Sequence, residues 1–362
     1  MKKKIEVFLP PSVFISSYNY PKISLAPLSS QQTIKDLTFY STINWFGLTK
    51  QEILNRSTSL LSSKKNVSPS SARNPGYELK EIQESVMSEN PLQAELQVNN
   101  FYSGKTEFSN YIFPLKQKSN LESFKLIDNP VIPKKVDYLV SDIDVKSVTA
   151  LNELFSKNFE VDYLQKILSV GLLGVKKDRR FVPTRFSITA VDSITSNKLV
   201  SDLKSFKQLQ DYRVFNLKFI ENSFIILLLP TEWCFEQLEL MLGSKTFSHD
   251  FEFYSGRKTY ASNVLGAYYA ARLAVTEYYK KIQRQGGAII FRETKQSYKS
   301  LGVWLIRESV RNALQENFKS FNNLDDSLKF IQTLLQTDLK SWKKQSKIID
   351  KQLKQKKLSE WS

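Results

Sequence analysis

Between Asp211 and Pro230 the chain reads DYRVFNLKFIENSFIILLLP. Val214, Asn216 and Lys218 alternate with Arg213, Phe215, Leu217 and Phe219, the period of two that marks a strand with unlike faces. A Glu-Asn pair, Glu221 and Asn222, reads as the turn. The return run from Phe224 to Leu229 is apolar at every position, so it predicts a strand buried on both faces. Such a strand needs a sheet around it and packed elements above and below.

The rest of the chain supplies both. Two short β-prone runs flank Tyr-Asn-Tyr-Pro between Ser12 and Leu25, and AELQV and KVDYLVSDIDV read as strands. A helix opens at Thr49 with Glu52 three residues on, the pattern of a capping box. The serine-rich SSKKNVSPSSARNPGY that follows reads as a surface loop, and a further helix is expected over Leu79–Met87. In VDYLQKILSVG, Val161, Leu164, Ile167 and Leu168 share one helical face and Gly171 sits where a C-cap belongs. Downstream come a strand in FSHDFEFYSG, a helix over Tyr260–Gln283 with alanines at 267, 270, 271 and 274, a strand in GAIIFRE and an amphipathic helix in GVWLIRESVRNALQ. Strands and helices alternate without a βαβ rhythm. The expected class is therefore α+β: a mixed sheet with packed helices, then a mostly helical C-terminal region and a basic helical tail. The tail, from Asp338, carries seven lysines between Lys343 and Lys357. Leu339, Trp342, Ile349 and Leu353 at helical steps predict that its first turns dock and its end is free.

Charge bounds the partners. The chain has 52 Lys and Arg against 36 Asp and Glu, a formal net charge of +16, which favours polyanions such as nucleic acid. With 41% hydrophobic residues it is not a disordered polycation. One cysteine, Cys234, excludes an internal disulfide, and with one histidine, His249, a His/Cys zinc cage is excluded too; no cofactor is expected. The apolar runs are too short to span a bilayer, and no apolar core of signal length precedes Pro10 and Pro11, which reads as a cytoplasmic protein without a membrane partner.

Two clusters carry chemistry. In GLLGVKKDRRFVPTRFSITAVDS, Lys176, Lys177, Arg179, Arg180 and Arg185 crowd a turn-rich stretch, interleaved with Phe181 and Phe186. Guanidinium forks and free N–H groups there suit phosphate oxygens, and aromatics beside arginines can stack bases; a solvated loop with acidic neighbours would look the same. In HDFEFYSGRKTYA, Arg257 and Lys258 near an expected helix start suggest a phosphate cradle. With Asp142 and Asp144, expected on one strand face, His249, Asp250, Glu252 and Lys258 form the constellation a nuclease or nucleotide-modifying enzyme would need. No glycine-rich phosphate loop and no serine elbow is present.

The stretch SVGLLGVKKDRRFVPTRFSITAVDS resembles the hallmark block of the archaeal DNA-repair Nre family. PPSVFISSYNYPKISLAPL, WFGLTKQEI, FEFYSGRKTYASNVLGAYYAARLAV and GVWLIRESVRNAL resemble other family segments, in family order, from Ser12 to Ser341. Two departures stand out: Ser16 and Ser17 replace a glycine and an arginine of the N-terminal arm, and the single cysteine cannot supply the four-cysteine zinc module with which many members begin. The resemblance implies an Nre N-terminal domain over 8–245, an Nre C-terminal domain over 246–341 and a basic tail over 342–362. It also implies a DNA-damage repair factor recruited by the sliding clamp, PCNA, through a C-terminal peptide. Gln355, Leu358 and Trp361 in QKKLSEWS fill the glutamine, aliphatic and aromatic positions of such a peptide, with Ser362 where a second aromatic usually stands. A clamp adaptor that never touches DNA, and a tail whose Trp361 folds back onto the body, are the competing readings.

Overall fold

The computed structural model describes residues 2–18 and 21–354. The chain forms two compact units, Met1–Thr195 with Ser300–Gly302 and Ser196–Lys299 with Val303–Ser362. Each is built on its own six-stranded mixed sheet, so the α+β class holds with two sheets where one was expected.

In the first unit the elements are β1 (Lys3–Leu9), β2 (Val13–Ser16), β3 (Ile23–Ser29), α1 (Lys50–Thr58), β4 (Leu61–Val67), α2 (Tyr77–Met87), β5 (Leu92–Glu107), β6 (Leu115–Leu126), α3 (Lys134–Ser141), α4 (Ser147–Ser156), α5 (Val161–Ser169) and the start of α6 (Thr184–Leu203). The sheet order is β1-β5-β6-β4-β3-β2, with β4 and β6 parallel from Leu61↔Gln117 to Lys64↔Asn120. The capping box of α1 is formed: Thr49 Oγ1 accepts from the Glu52 amide at 3.3 Å, and Glu52 accepts from the Thr49 amide at 2.7 Å.

Two local expectations in this unit are overturned. The serine-rich stretch after α1 is not a loop at its start: β4 runs through it between β3 and β6, with Ser62 and Ser63 fully buried. Ser63 and Ser119 share a hydroxyl hydrogen bond of 2.9 Å across the parallel pair, which satisfies polar groups that the composition would place in water. KVDYLVSDIDV is not a strand. It begins with α3, which buries Val136 and Leu139 three residues apart, the helical rather than the strand period.

The second unit continues with β7 (Tyr212–Phe219), β8 (Asn222–Leu229), β9 (Cys234–Met241), β10 (Phe247–Glu252), α7 (Gly266–Ile282), β11 (Gly287–Thr294), α8 (Val303–Ala313), β12 (Lys319–Phe321), α9 (Leu324–Leu334), α10 (Leu339–Gln345) and α11 (Lys347–Lys354). The order is β10-β9-β11-β8-β7-β12, antiparallel throughout except for β9 with β11. β8 is buried at every position, as its composition requires. The hairpin turn lies one residue earlier than the Glu-Asn reading: Ile220 and Glu221 hold φ of 41° and 59°, the pair of left-handed residues a tight hairpin needs, and Asn222 already belongs to β8.

Helices cover both faces of this sheet. Ile225, Leu227, Ile289 and Phe291 meet Leu328, Ile331, Trp342 and Ile349 from α9, α10 and α11 on one side, while α7 packs on β9 and α8 on β7 and β8. The alanines at 267, 270, 271 and 274 are buried, and α7 lies against α8. That helix starts six residues later than its sequence suggests, at Gly266. The basic tail is docked well past its first residues, because Trp342, Ile348 and Ile349 are core. No helix among the described residues is long and apolar enough to cross a membrane.

Trp342 is fully buried, with its ring edge-on to Phe247 at 4.8 Å and Phe291 at 5.5 Å. Trp342→Ala is expected to cost about 3–5 kcal/mol, the usual range for emptying a large aromatic site. A urea midpoint within error of the parent would show that the start of the tail is not core.

Candidate functional site

The basic loop of the first unit is shaped by its glycines. After α5, Gly171 takes φ of 72°, and a Cβ there would lie 2.6 Å from the Arg180 carbonyl oxygen and 2.7 Å from Ala72 Cβ. Only glycine lets the chain turn this way and lets the loop return against its own start. Gly174, with φ of 110°, packs on Ser147 in the same manner.

The five cations, four in the loop and Arg185 in the first turn of α6, divide by role. Arg179 is turned inward: its Nε donates to the Gly174 carbonyl at 2.7 Å and its Nη2 to the Asp142 carbonyl at 2.8 Å, and its own carbonyl accepts from Arg73 at 3.3 Å. Lys176, Lys177, Arg180 and Arg185 are exposed. The aromatic partners divide likewise. Phe181 is a core residue, which removes it from base stacking, while Phe186 is half exposed with the Arg185 guanidinium 4.4 Å above its ring. Loop shape therefore rests on Gly171, Gly174 and Arg179; the loop offers three cations to solvent, and the first turn of α6 adds Arg185 and one aromatic face.

The segment after β10 is organised by Arg257. Its guanidinium donates to the carbonyls of Phe251 at 2.7 Å, Thr259 at 3.2 Å and Tyr260 at 3.1 Å, and lies 3.1 Å from Asp250. It therefore shapes the turn that presents Lys258, which is exposed. The cradle expected at a helix start is absent there, because α7 begins beyond Leu265.

The acidic constellation is not brought together. Asp142 and Asp144 belong to the first unit and follow α3, where Asp142 Oδ1 accepts from the Asp144 and Val145 amides at 2.9 and 3.1 Å. In the second unit, strand alternation sends Asp250 and Glu252 to one side of β10 and His249 to the other. Asp250 accepts from the Asn263 and Val264 amides at 2.9 and 2.7 Å. Glu252 holds Arg272 and the Trp233 indole N–H, both at 2.8 Å. His249 Nε2 lies 2.6 Å from Glu236 on the face covered by α11. Among the described residues no three His, Cys, Asp or Glu side chains stand together as a metal site would require.

Two cavities escaped the sequence reading. One, of about 520 Å³ in the first unit, is lined by Tyr40, Phe113, Asn158, Phe159, Tyr163 and Lys166 among others. Its signal was present in α5, where Asp162 and Lys166 lie one turn apart on the side away from the apolar stripe, but it is shared by most amphipathic helices. The other, of about 820 Å³ in the second unit, is lined by Cys234, Tyr254, Asp325 and Lys351; burial pushes its Cys234 thiol up to about 12, so that sulfur stays protonated at neutral pH.

Comparison with known proteins divides the chain near residue 250, inside the second compact unit rather than between the two. A family model for the archaeal Nre N-terminal region matches residues 1–248, and one for the archaeal Nre C-terminal region matches 252–361. The chain belongs to the archaeal Nre family. Among its Nre relatives, the DNA repair protein NreA of Archaeoglobus fulgidus is 35% identical over 88% of this chain and 82% of its own length. The DNA repair protein NreB of the same organism is 30% identical over 94% and 88%. The NreA of Haloferax volcanii is 29% identical over 93% and 84%. No solved structure matches this Nre chain. Gln355, Leu358 and Trp361 lie outside the described residues.

Arg179→Ala should destabilise the protein by about 1.5–3 kcal/mol, since it removes charge-assisted hydrogen bonds to loop carbonyls. Lys177→Ala should leave the melting temperature unchanged. Equal melting temperatures for the two variants would refute the division of roles within the loop.

Proposed function

We propose that this chain is a DNA-repair factor that binds nucleic acid through its basic loops and is brought to DNA by the sliding clamp. The observation that carries the reading is the exposed set Lys176, Lys177 and Arg180 on a loop whose backbone is held by two left-handed glycines and an inward arginine, with Arg185 exposed on the first turn of α6 just after it. Cations held out on a fixed backbone gain phosphate contacts at less ordering cost than the same charges on a loose chain. Phe186 beside Arg185 adds a face on which a base can stack. Lys258, on the turn held by Arg257, is a further phosphate contact. The names of the relatives point to DNA repair, and a net charge of +16 supports a polyanionic partner.

For recruitment, Leu358 and Trp361 would form a hydrophobic plug and Gln355 would hydrogen-bond clamp backbone, with the flanking lysines drawn to an acidic rim. With serine in place of the second aromatic, the plug is smaller and the grip weaker.

Replacing Lys176, Lys177, Arg180 and Arg185 together by alanine should weaken DNA binding across sequences. It should also lower the slope of log affinity against log salt by roughly 0.9 for each lost phosphate contact. A parent protein with a flat slope, or with no DNA affinity, would leave only the adaptor reading. Deleting residues 355–362 should abolish co-migration with the clamp on gel filtration and leave the melting temperature unchanged. Undiminished clamp binding by the truncated chain would refute the peptide.

A further inference from the structure

The cavity of the first unit has a composition that the basic loops do not explain. Its walls include Phe113, Tyr40 and the pair Phe159 and Tyr163, whose rings stack at 5.7 Å with 26° between planes. At about 520 Å³ it falls within the range of small-molecule sites, roughly 300–1,000 Å³. Tyr163 is committed to structure: its hydroxyl donates to the Met87 carbonyl at 2.8 Å, and burial pushes the phenol's pKa well up.

The group left for chemistry is the Lys166 amine. Lys166 lies on α5 one turn after Asp162, whose carboxylate accepts a hydrogen bond from Thr42. That carboxylate favours the ammonium, but burial outweighs it and pulls the amine's pKa below that of an ordinary lysine. A half-buried amine that loses its proton more readily is a nucleophile, and its natural electrophile is a carbonyl carbon. Lys157, which lines the same cavity, is exposed.

We propose that this cavity admits a base-less deoxyribose from DNA and that Lys166 forms an imine with its C1′ aldehyde. The inference rests on the DNA-binding reading above. The ring-opened sugar at a position that has lost its base is the aldehyde-bearing lesion of DNA, and without its base it can turn out of the duplex at little stacking cost. The neutral Nζ adds its lone pair to C1′, giving a carbinolamine. The carbonyl oxygen then leaves as water carrying both amine protons, and C1′ is doubly bonded to nitrogen. No oxidant, reductant or metal enters the step.

The test is reductive trapping with the full chain. An oligonucleotide with one excised uracil is incubated with the protein and sodium cyanoborohydride, and covalent adducts are separated on a denaturing gel. The parent protein should give an adduct whose reduced linkage maps to the Lys166 peptide by mass spectrometry, which needs no variant. Its yield should rise with pH and level off below the range where surface lysines titrate. Lys166→Arg should lower the yield at least about tenfold, as loss of a unique nucleophile does, and Lys157→Arg should leave it unchanged. An adduct that persists in Lys166→Arg, or that maps elsewhere, overturns the proposal. Protein that shifts the oligonucleotide on a native gel yet traps nothing overturns the imine and leaves DNA binding standing. Protein that does not shift it overturns both.

Discussion

The second unit depends on one buried charge. Glu236 lies on β9 with its side chain fully removed from solvent, where an uncompensated carboxylate would cost several kcal/mol. It is compensated by the N-terminus of α11: the Lys347 amide donates at 2.7 Å, the Ile348 amide at 3.3 Å, and the Ser346 hydroxyl also donates to it. His249 on the neighbouring strand completes the shell. A helix start offers unpaired N–H groups and the positive end of its dipole, which is what a buried carboxylate needs. The consequence reaches 110 residues along the chain, because the basic C-terminal helix is fixed to β9 by an acid that precedes it.

The same solution recurs around that sheet. Asp250 takes the amides that lead into α7, Glu252 takes Arg272 and Trp233, and Glu293 takes the amides of Gln336 and Thr337 at 2.9 Å. Acidic residues that look in sequence like a catalytic set are thus spent on joining helices and loops to strands. The exposed cations are left as the groups able to meet an outside partner. In the first unit the division is similar. Arg179 and the glycines build the loop, which displays Lys176, Lys177 and Arg180, and the first turn of α6 displays Arg185 beside them in sequence.

Much of this was legible in the residues. The β7–β8 hairpin followed from alternation and from an apolar return strand. The α5 stripe and its Gly171 terminus followed from the 3.6-residue period, and the α1 cap from Thr49 and Glu52. The misreadings share a cause. KVDYLVSDIDV alternates over a few residues but packs Val136 and Leu139 together, and eight residues cannot separate a strand from a short helix. Ser62 and Ser63 look solvated until β3 and β6 supply their partners. Arg179 and Arg257 look like ligand-binding cations until the carbonyls they hold are placed beside them.

By itself the sequence determined the class of fold, the elements with strong periodicity, the polycationic character and the family, because periodicity, net charge and long ordered blocks are local or additive properties. The tertiary structure alone decided which charges are free to act. A carboxylate or guanidinium is functional or structural according to what lies within 3 Å of it, and those partners come from residues far away along the chain: Glu236 with Lys347, Arg179 with Asp142, Glu293 with Thr337. It also decided that Lys166 faces a cavity, since a cavity exists only between elements that have already packed.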